Sequence, residues 1–231
     1  IISMLVGVFA PTVTYSYAKG NKEELLHDME KAQSMIGLFS CSILVVFICL
    51  CKYFFKLWVP SEDADQLFVL SAITVVPHFF VGCLWSITNL NIAANKVAKP
   101  AIVQLALGIL NVIMVVALSQ LFHTELITIC VVCSLLTLVL VLAFLPLYAA
   151  SYLNVPYSTF YKVSFRMVIS TILLIIIFSF VIPNLSLDNW FRLMGNGFVL
   201  GIVALMVNFL FMFNKQTRRN LLMKLKSKID I

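Results

Sequence analysis

The chain has 231 residues, of which 62% are hydrophobic and 11% are charged, against roughly 45 to 50% and about 25% in soluble globular proteins. This composition excludes a soluble catalytic domain and predicts an integral membrane protein with space for about seven spans. The net charge of +6 favours anionic lipid headgroups over nucleic acid as the partner of the basic residues, so we expect membrane lipids and no nucleic acid among the partners.

Seven stretches lack Asp, Glu, Lys and Arg, each of which costs about 2.5 to 3.5 kcal/mol at the centre of a bilayer. Backbone groups in lipid must bond within their own segment, so these stretches are predicted to be helices. The predicted class is an all-α integral membrane bundle of about seven transmembrane helices. The predicted helices cover residues 1–18, 33–55, 67–91, 101–122, 126–150, 165–182 and 193–214, and the second and sixth extend past the uncharged stretch to include Lys52 and Arg166.

Pro77 lies inside the third predicted helix. Proline has no backbone N–H and therefore removes one helical hydrogen bond, which a neighbouring helix, a side chain or water can replace. We expect a kink there.

The connections divide the basic residues unequally between two sides. Residues 19–31, 96–100, 151–166 and 215–231 fall on one side if the spans alternate, and they carry 13 of the 16 Lys and Arg residues. Cytoplasmic loops are enriched in Lys and Arg, so this side is predicted to be cytoplasmic, together with the C-terminus.

The last segment, 215–231, is predicted to be a basic amphipathic helix on the inner leaflet, because leucines recur at helical spacing among bases. The residues predicted to contact lipid are Arg218, Arg219, Lys224, Lys226 and Lys228.

Catalytic, metal and cofactor signatures are not apparent in the sequence. The pair Cys130 and Cys133 has metal-ligand spacing, but it has no second pair and no His in the same span, so helix packing is the favoured interpretation. The other cysteines also lie in or beside apolar runs, which disfavours a disulfide framework. We therefore predict no catalytic residue, no metal, no cofactor and no enzymatic activity. Asn208 and Ser42 are interpreted as helix–helix contacts.

Several short motifs occur in a characteristic order. Pro11 is followed by Tyr-Ala-Lys-Gly-Asn-Lys-Glu-Glu-Leu at 17–25, then by Leu-Trp-Val-Pro at 57–60, Asn-Lys at 95–96 with Lys-Pro-Ala at 99–101, and Gly108 with Asn111. This series resembles the bacterial polysaccharide and oligosaccharide-lipid flippases of the multidrug/oligosaccharidyl-lipid/polysaccharide exporter superfamily. The resemblance covers nearly the whole chain.

The resemblance implies that the chain is the C-terminal half of a fourteen-helix exporter, beginning in the eighth helix; the start at Ile1, without an initiator Met, agrees with this expectation. Residues 1–150 would form part of the C-terminal transport lobe, and 151–214 would supply two additional helices resembling those of a lipid-tail groove. The missing N-terminal half would be a partner and would hold most of the phosphate-binding residues.

The function implied is a flippase that moves a lipid-linked oligosaccharide, of the undecaprenyl-pyrophosphate type, across the bacterial inner membrane for the biosynthesis of surface polysaccharide such as O-antigen, capsule or lipopolysaccharide. The helix around residue 78 lines the central cavity in that family. The candidate cavity residues are His78, Asn89, Asn91, Gln104 and Asn111. For each of them the competing interpretation is an ordinary inter-helix hydrogen bond.

Three alternatives remain open. A multidrug or cation antiporter of the same superfamily would need a carboxylate within the membrane, which none of these spans holds, although the missing half could hold one. A membrane glycosyltransferase, polymerase or ligase would need a large outer loop, and the connections here are short. A structural or assembly subunit is the third.

Overall fold

A computed structural model describes residues 2–122, 125–213 and 218–219, and in these residues the chain forms helices joined by short turns, with no strand. The all-α prediction is confirmed. The helices are α1 (Ile2–Ala18), α2 (Lys22–Trp58), α3 (Ala64–Leu84), α4 (Ser86–Ala93), α5 (Ala98–Phe122), α6 (Glu125–Leu138), α7 (Leu145–Leu153), α8 (Lys162–Val181) and α9 (Trp190–Met212). A π-helical segment, Val139–Phe144, joins α6 to α7, and 3₁₀ turns occupy Tyr157–Tyr161 and Ile182–Asn184.

Six helical stretches within the described residues are long and apolar enough to cross a membrane, and they correspond to the second through seventh predicted spans. The first predicted span, 1–18, forms helix α1 of 17 residues and is not among these six stretches.

The second predicted span is much longer in the structure than the predicted range 33–55. Helix α2 runs without interruption for 37 residues. Gly20, with φ of +72°, makes the preceding turn, and the side chain of Asn21 caps the helix by accepting from the backbone N–H groups of Glu23 and Glu24. The charges at 22–31 mark where the membrane begins and not where the helix begins, because a helix can continue into water.

The third predicted span, 67–91, is divided into α3 and α4 at Trp85, eight residues after Pro77. The carbonyl oxygen of Ile73, which would accept from residue 77 in an unbroken helix, accepts instead from the hydroxyl of Ser134 on α6 at 2.9 Å. A side chain thus replaces the hydrogen bond that Pro77 removes.

In the fifth predicted span, a side-chain hydroxyl again replaces a hydrogen bond that a proline removes. The π-helical segment ends where the N–H of Leu145 bonds to the carbonyl of Leu140, and Pro146 follows. Proline at 146 leaves the carbonyl of Leu142 without its helical donor, and the hydroxyl of Tyr161 donates to it. Each of these two prolines is therefore matched by a hydroxyl from another element.

Two groups of buried side chains hold the bundle together, and α2 contributes to both. One joins α2, α3, α8 and α9 around residues such as Cys41, Phe79, Met167 and Ala204. The other joins α1, the start of α2, the end of α3, α4 and α7 around Met29, Leu84, Leu90 and Ala149. Helices α8 and α9 are therefore packed into the same bundle as the preceding helices.

Contacts between connections support the predicted alternation of the spans. At one end Arg166 pairs with Glu30, and the ammonium of Lys22 donates to the carbonyl of Asn154. At the other end Lys52 pairs with Asp65, and the ring of Phe54 lies 5.6 Å from that of Trp190. We call the first the basic end.

Candidate functional site

An apolar groove runs between α2 and α9 at the middle of the membrane-spanning region. Its volume is about 450 Å³, and it is lined by Phe39, Ser42, Ile43, Val46, Phe47, Gly197, Phe198, Gly201, Ile202 and Leu205. Ser42 is the only one of these residues with a polar side chain, and its hydroxyl is turned toward the carbonyl of Leu38 at 2.7 Å. The surface of the groove is therefore hydrocarbon, and the groove suits an acyl or isoprenoid chain.

Two glycines on α9 shape the groove, and they are four residues apart on one helix face. A Cβ at Gly197 would lie 3.3 Å from Cδ1 of Leu50, so glycine here permits close approach to α2. A Cβ at Gly201 would meet no described residue within 4 Å, so glycine there leaves open space. This Gly-x-x-x-Gly spacing was the signal in the sequence that could have revealed the groove.

A buried polar chain closes the bundle behind the groove. The hydroxyl of Ser170 on α8 donates to the side-chain oxygen of Asn208 on α9, and the amide nitrogen of Asn208 donates to the hydroxyl of Ser42 on α2 at 2.9 Å. Asn208 and Ser170 are fully buried. Each member has a partner, and the three helices are joined as the sequence interpretation of Asn208 and Ser42 expected.

Charged groups gather at the basic end of the bundle. The guanidinium of Arg166 donates to Glu30 at 3.0 Å and to the carbonyl of Met212, at the end of α9, at 3.5 Å. A cation at this position also interacts favourably with the negative end of the helix dipole. Nearby, the Ser16 hydroxyl donates to the carboxylate of Asp28. These bonds tie α1, α2, α8 and α9 together at their charged termini.

Before α2, Lys19 is exposed and pairs with Glu24 at 2.9 Å. The hydrogen bond that Lys19 donates to Glu24 raises the pKa of Lys19 above its ordinary value.

Two polar cavities adjoin this charged end. The larger, of about 220 Å³, lies between α2 and the start of α8 and is lined by Leu26, His27, Met29, Glu30, Gln33, Thr159, Phe160 and Lys162. The smaller, of about 50 Å³, includes Lys31, Ser34 and Arg166 and shares His27 and Glu30 with the first. Sequence reasoning missed both cavities, because their residues are about 130 positions apart in the chain.

The predicted cavity residues on α3 and α4 lie in three different environments. His78 is exposed on α3, with Nδ1 3.0 Å from the carbonyl oxygen of Thr74 on its own helix. Asn89 is half-buried on α4. Asn91 is fully buried, and its side-chain oxygen accepts from the hydroxyl of Tyr152 on α7 at 2.9 Å.

The two candidates on α5 are also apart from the groove. Gln104 is exposed. Asn111 is half-buried, and its amide nitrogen lies 3.3 Å from Sγ of Cys133 on α6. None of the five candidates lines the apolar groove or the two polar cavities. Their assignment to a transport cavity stays a prediction.

The predicted lipid-contact residues fall partly in the described chain. Arg218 is half-buried and Arg219 is exposed, while Lys224, Lys226 and Lys228 lie outside the described residues. In the residues that the structure describes, no group of three His, Cys, Asp or Glu side chains is placed to hold a metal, and all six cysteines are free thiols.

Comparison with known proteins finds similarity to a bacterial membrane protein. The chain is similar to a protein named uncharacterized membrane protein EpsK, from Bacillus subtilis (strain 168), with 24% identity over 225 residues. The match covers 96% of this chain and 44% of that protein, so the chain spans less than half of the relative's length. No family model matches the chain, and no solved structure matches it. The apolar helices and this relative together identify a multi-pass membrane protein.

Proposed function

We propose that the chain is part of a flippase that exports lipid-linked oligosaccharide, of the undecaprenyl-pyrophosphate type, across the inner membrane of a bacterium for surface polysaccharide biosynthesis. The observation that carries this proposal is the apolar groove between α2 and α9, which offers an isoprenoid tail a place to lie within the protein. The motif series at 11–25, 57–60 and 95–111 supports the same assignment by resemblance.

A flippase must move a polar headgroup past hydrocarbon while the tail stays in the membrane. The task needs two surfaces, one apolar for the tail and one wet for the head, and a rocking motion between helix bundles in place of covalent chemistry. The groove supplies the first surface. The second would form between this chain and the remaining half of the protein, for which the exposed side of α5 and His78 on α3 are available.

Orientation follows from the charges. The basic end carries Lys19, Lys22 and Lys31 before and within α2, Lys96 and Lys99 before and within α5, and Lys162 and Arg166 on α8. We place this end in the cytoplasm, because loops rich in Lys and Arg remain on that side during insertion. Transport would then run from the basic end toward the end of the bundle that holds Trp58 and Trp190.

The test is a leaflet-transfer assay on the purified full-length protein in liposomes, with a fluorescent polyprenyl-pyrophosphate oligosaccharide as substrate. The variant is Gly201→Leu, which places a side chain in the groove at a position where a Cβ would meet no described residue within 4 Å. The matched control is Gly195→Leu on the same helix, where a Cβ also meets no described residue within 4 Å and which does not line the groove. We expect transport to be lost in Gly201→Leu and retained in Gly195→Leu. Equal transport by both variants would remove the groove from the mechanism.

A second variant tests the wet surface. His78→Ala should slow transport of the same substrate if His78 lines the path of the headgroup, with no change in thermal unfolding, because its ring bonds only to its own helix among the described contacts. Transfer of the substrate by His78→Ala at the wild-type rate would show that His78 does not line the path of the headgroup. If protein-free liposomes moved the substrate as fast as liposomes with the wild-type protein, the flippase proposal itself would fail.

A further inference from the structure

The larger polar cavity at the basic end has the properties of an anion site. One wall is the segment 26–33 of α2, which ends where the uncharged stretch begins, and the other is the 3₁₀ turn and the first residue of α8. Its volume of about 220 Å³ is far more than a single water molecule needs. It has space for a phosphate group and several waters.

Gln33 is the residue in this cavity that lacks a partner. It is 2% exposed, and its amide nitrogen Nε2 makes no hydrogen bond to any described residue. A buried donor without an acceptor is costly, and native proteins contain few of them. The described residues therefore leave this donor available to an acceptor from outside the described chain, either a water or a bound anion.

The charges around Gln33 indicate the sign of that acceptor. Lys162 lines the cavity and opens α8, whose first turn contains no acidic residue, so the positive end of the helix dipole is not offset on α8 itself. Glu30 is the one carboxylate in the wall, and Arg166 holds it at 3.0 Å. Lys31 in the adjoining small cavity adds positive charge.

The depth of the cavity indicates the source of the anion. Gln33 begins the uncharged part of α2, which ends before Lys52. These 19 residues span about 28 Å at 1.5 Å per residue, close to the thickness of the hydrocarbon core. Gln33 is therefore at the level where lipid phosphates meet the protein surface.

We propose that Gln33 and Lys162 bind the phosphate of an anionic lipid headgroup, with the acyl chains lying outward along the bundle. Basic pockets between membrane helices at this depth recognise anionic headgroups by the same chemistry. The site does not rest on the transport proposal, because an ordinary bilayer phospholipid suffices as its ligand and no movement across the membrane is required.

The experiment measures the thermal unfolding of the purified, delipidated full-length protein in neutral detergent, titrated with phosphatidylglycerol or with phosphatidylcholine. A ligand that binds only the folded state raises the unfolding temperature in proportion to its affinity. We expect phosphatidylglycerol to stabilise the wild type more than phosphatidylcholine does. Gln33→Leu and Lys162→Gln should each raise the half-saturating phosphatidylglycerol concentration about tenfold, because each removes one hydrogen bond to a charged group.

The matched control is Lys99→Gln, which removes the same charge at the same end of the bundle, outside the cavity, where Lys99 lies over the ring of Tyr148. It should titrate like the wild type. Gln33→Leu should also be at least as stable as the wild type without lipid, because it removes an unpaired buried donor. A merely structural glutamine would give a less stable protein.

Two outcomes overturn the proposal. If Gln33→Leu and Lys162→Gln respond to phosphatidylglycerol as the wild type does, the cavity is not the lipid site. If millimolar inorganic phosphate stabilises the wild type as strongly as phosphatidylglycerol and loses this effect in the same two variants, the cavity binds free phosphate and the lipid assignment is wrong.

Discussion

The most apolar stretches of α2 and α5 have the same mean hydropathy, but their surroundings differ completely. More than half of the most apolar part of α2 is buried, and α2 packs against α1, α3, α4, α8 and α9. No described residue of α5 is buried, and α5 packs mainly on α6 and the π-helical segment. Hydropathy thus predicted two spans but did not distinguish a central helix from a peripheral one.

The difference is explained by the residues that permit close contact. In lipid, an apolar side chain gains little by exchanging acyl chains for another helix, so small and polar residues determine which helices pack. Helix α2 offers Gly37, Cys41 and Ser42 to its neighbours. Helix α5 offers its neighbours Asn111, which contacts the weakly polar sulfur of Cys133, and Lys99, which lies over the ring of Tyr148 at the basic end.

The largest expected effect comes from enlarging a glycine on each helix. A Cβ at Gly37 would lie 3.7 Å from the sulfur atoms of Met167 and Met212, so Gly37→Leu should push α2 away from α8 and α9 and cost about 1 to 3 kcal/mol. Gly108→Leu on α5 should cost far less, since no described residue lies within 4 Å of its Cβ. Thermal unfolding of the full-length protein measures both. Equal losses would show that α5 is as tightly packed as α2.

A smaller effect should follow from removing the asparagine of the buried polar chain. Asn208→Leu breaks two hydrogen bonds between helices, each worth about 0.6 kcal/mol on average in a bilayer, so we expect a loss of about 1 to 2 kcal/mol. Asn111→Leu removes only contacts with the weakly polar sulfur of Cys133 and should be milder. Unfolding in a graded denaturing detergent compares the two. The interpretation fails if Asn111→Leu is the more damaging change.

The hydrogen bond from Ser134 on α6 to the carbonyl of Ile73 on α3 helps to hold α6, and with it α5, on the bundle. Ser134→Ala leaves the carbonyl of Ile73 without its hydroxyl donor and should cost about 0.6 kcal/mol. In a Pro77→Ala background a backbone N–H returns to that carbonyl, so the same serine change should cost less there. A double-mutant cycle by thermal unfolding gives the coupling; equal costs in the two backgrounds would rule out a role for Ser134 in replacing the missing bond.

The smallest effect is expected at the solvent-exposed start of α9, away from the buried polar chain of Ser170, Asn208 and Ser42. Two hydrogen bonds from Arg192 lower the pKa of Asp188 below its ordinary value. A carboxylate whose pKa is lowered in the folded state stabilises the fold above its unfolded pKa of about 3.9 and loses that contribution as the pH falls through the folded pKa. The stability advantage of the wild type over Asp188→Asn should therefore be slight at pH 6 and vanish in strong acid. A pH series of unfolding temperatures checks this, and an advantage that did not change with pH would contradict it.

Much of the fold could be predicted from charge spacing alone. The uncharged stretches predicted all six helical stretches in the described residues that are long and apolar enough to cross a membrane. The alternation of the basic connections predicted that Arg166 and Glu30 lie at the same end of the bundle. The predictions were less accurate where a helix continued beyond the membrane, as at Lys22, or changed its geometry, as at Trp85 and in the segment Val139–Phe144. The positions of charged residues indicate where the hydrocarbon core ends, but they do not indicate whether a helix continues beyond it.

The candidate sites divide in the same way. The sequence drew attention to intramembrane polar residues such as His78 and Asn91, because each is costly in lipid and requires a partner. The spacing of Gly197 and Gly201 indicated a helix contact, but the sequence could not identify α2 as the partner helix, or show that Gln33 shares a cavity with Lys162. Those groupings join residues more than a hundred positions apart.

The amino-acid sequence by itself determined that this is a helical membrane protein, where its spans run and which connections share a side, because burying charge and unpaired backbone in hydrocarbon is prohibitively costly. Only the tertiary structure decided that α2 is central and α5 peripheral, and which hydroxyls replace the hydrogen bonds removed by Pro77 and Pro146. The physical reason is that insertion into lipid depends on the composition of one segment, while packing depends on the fit between small and polar groups on different segments.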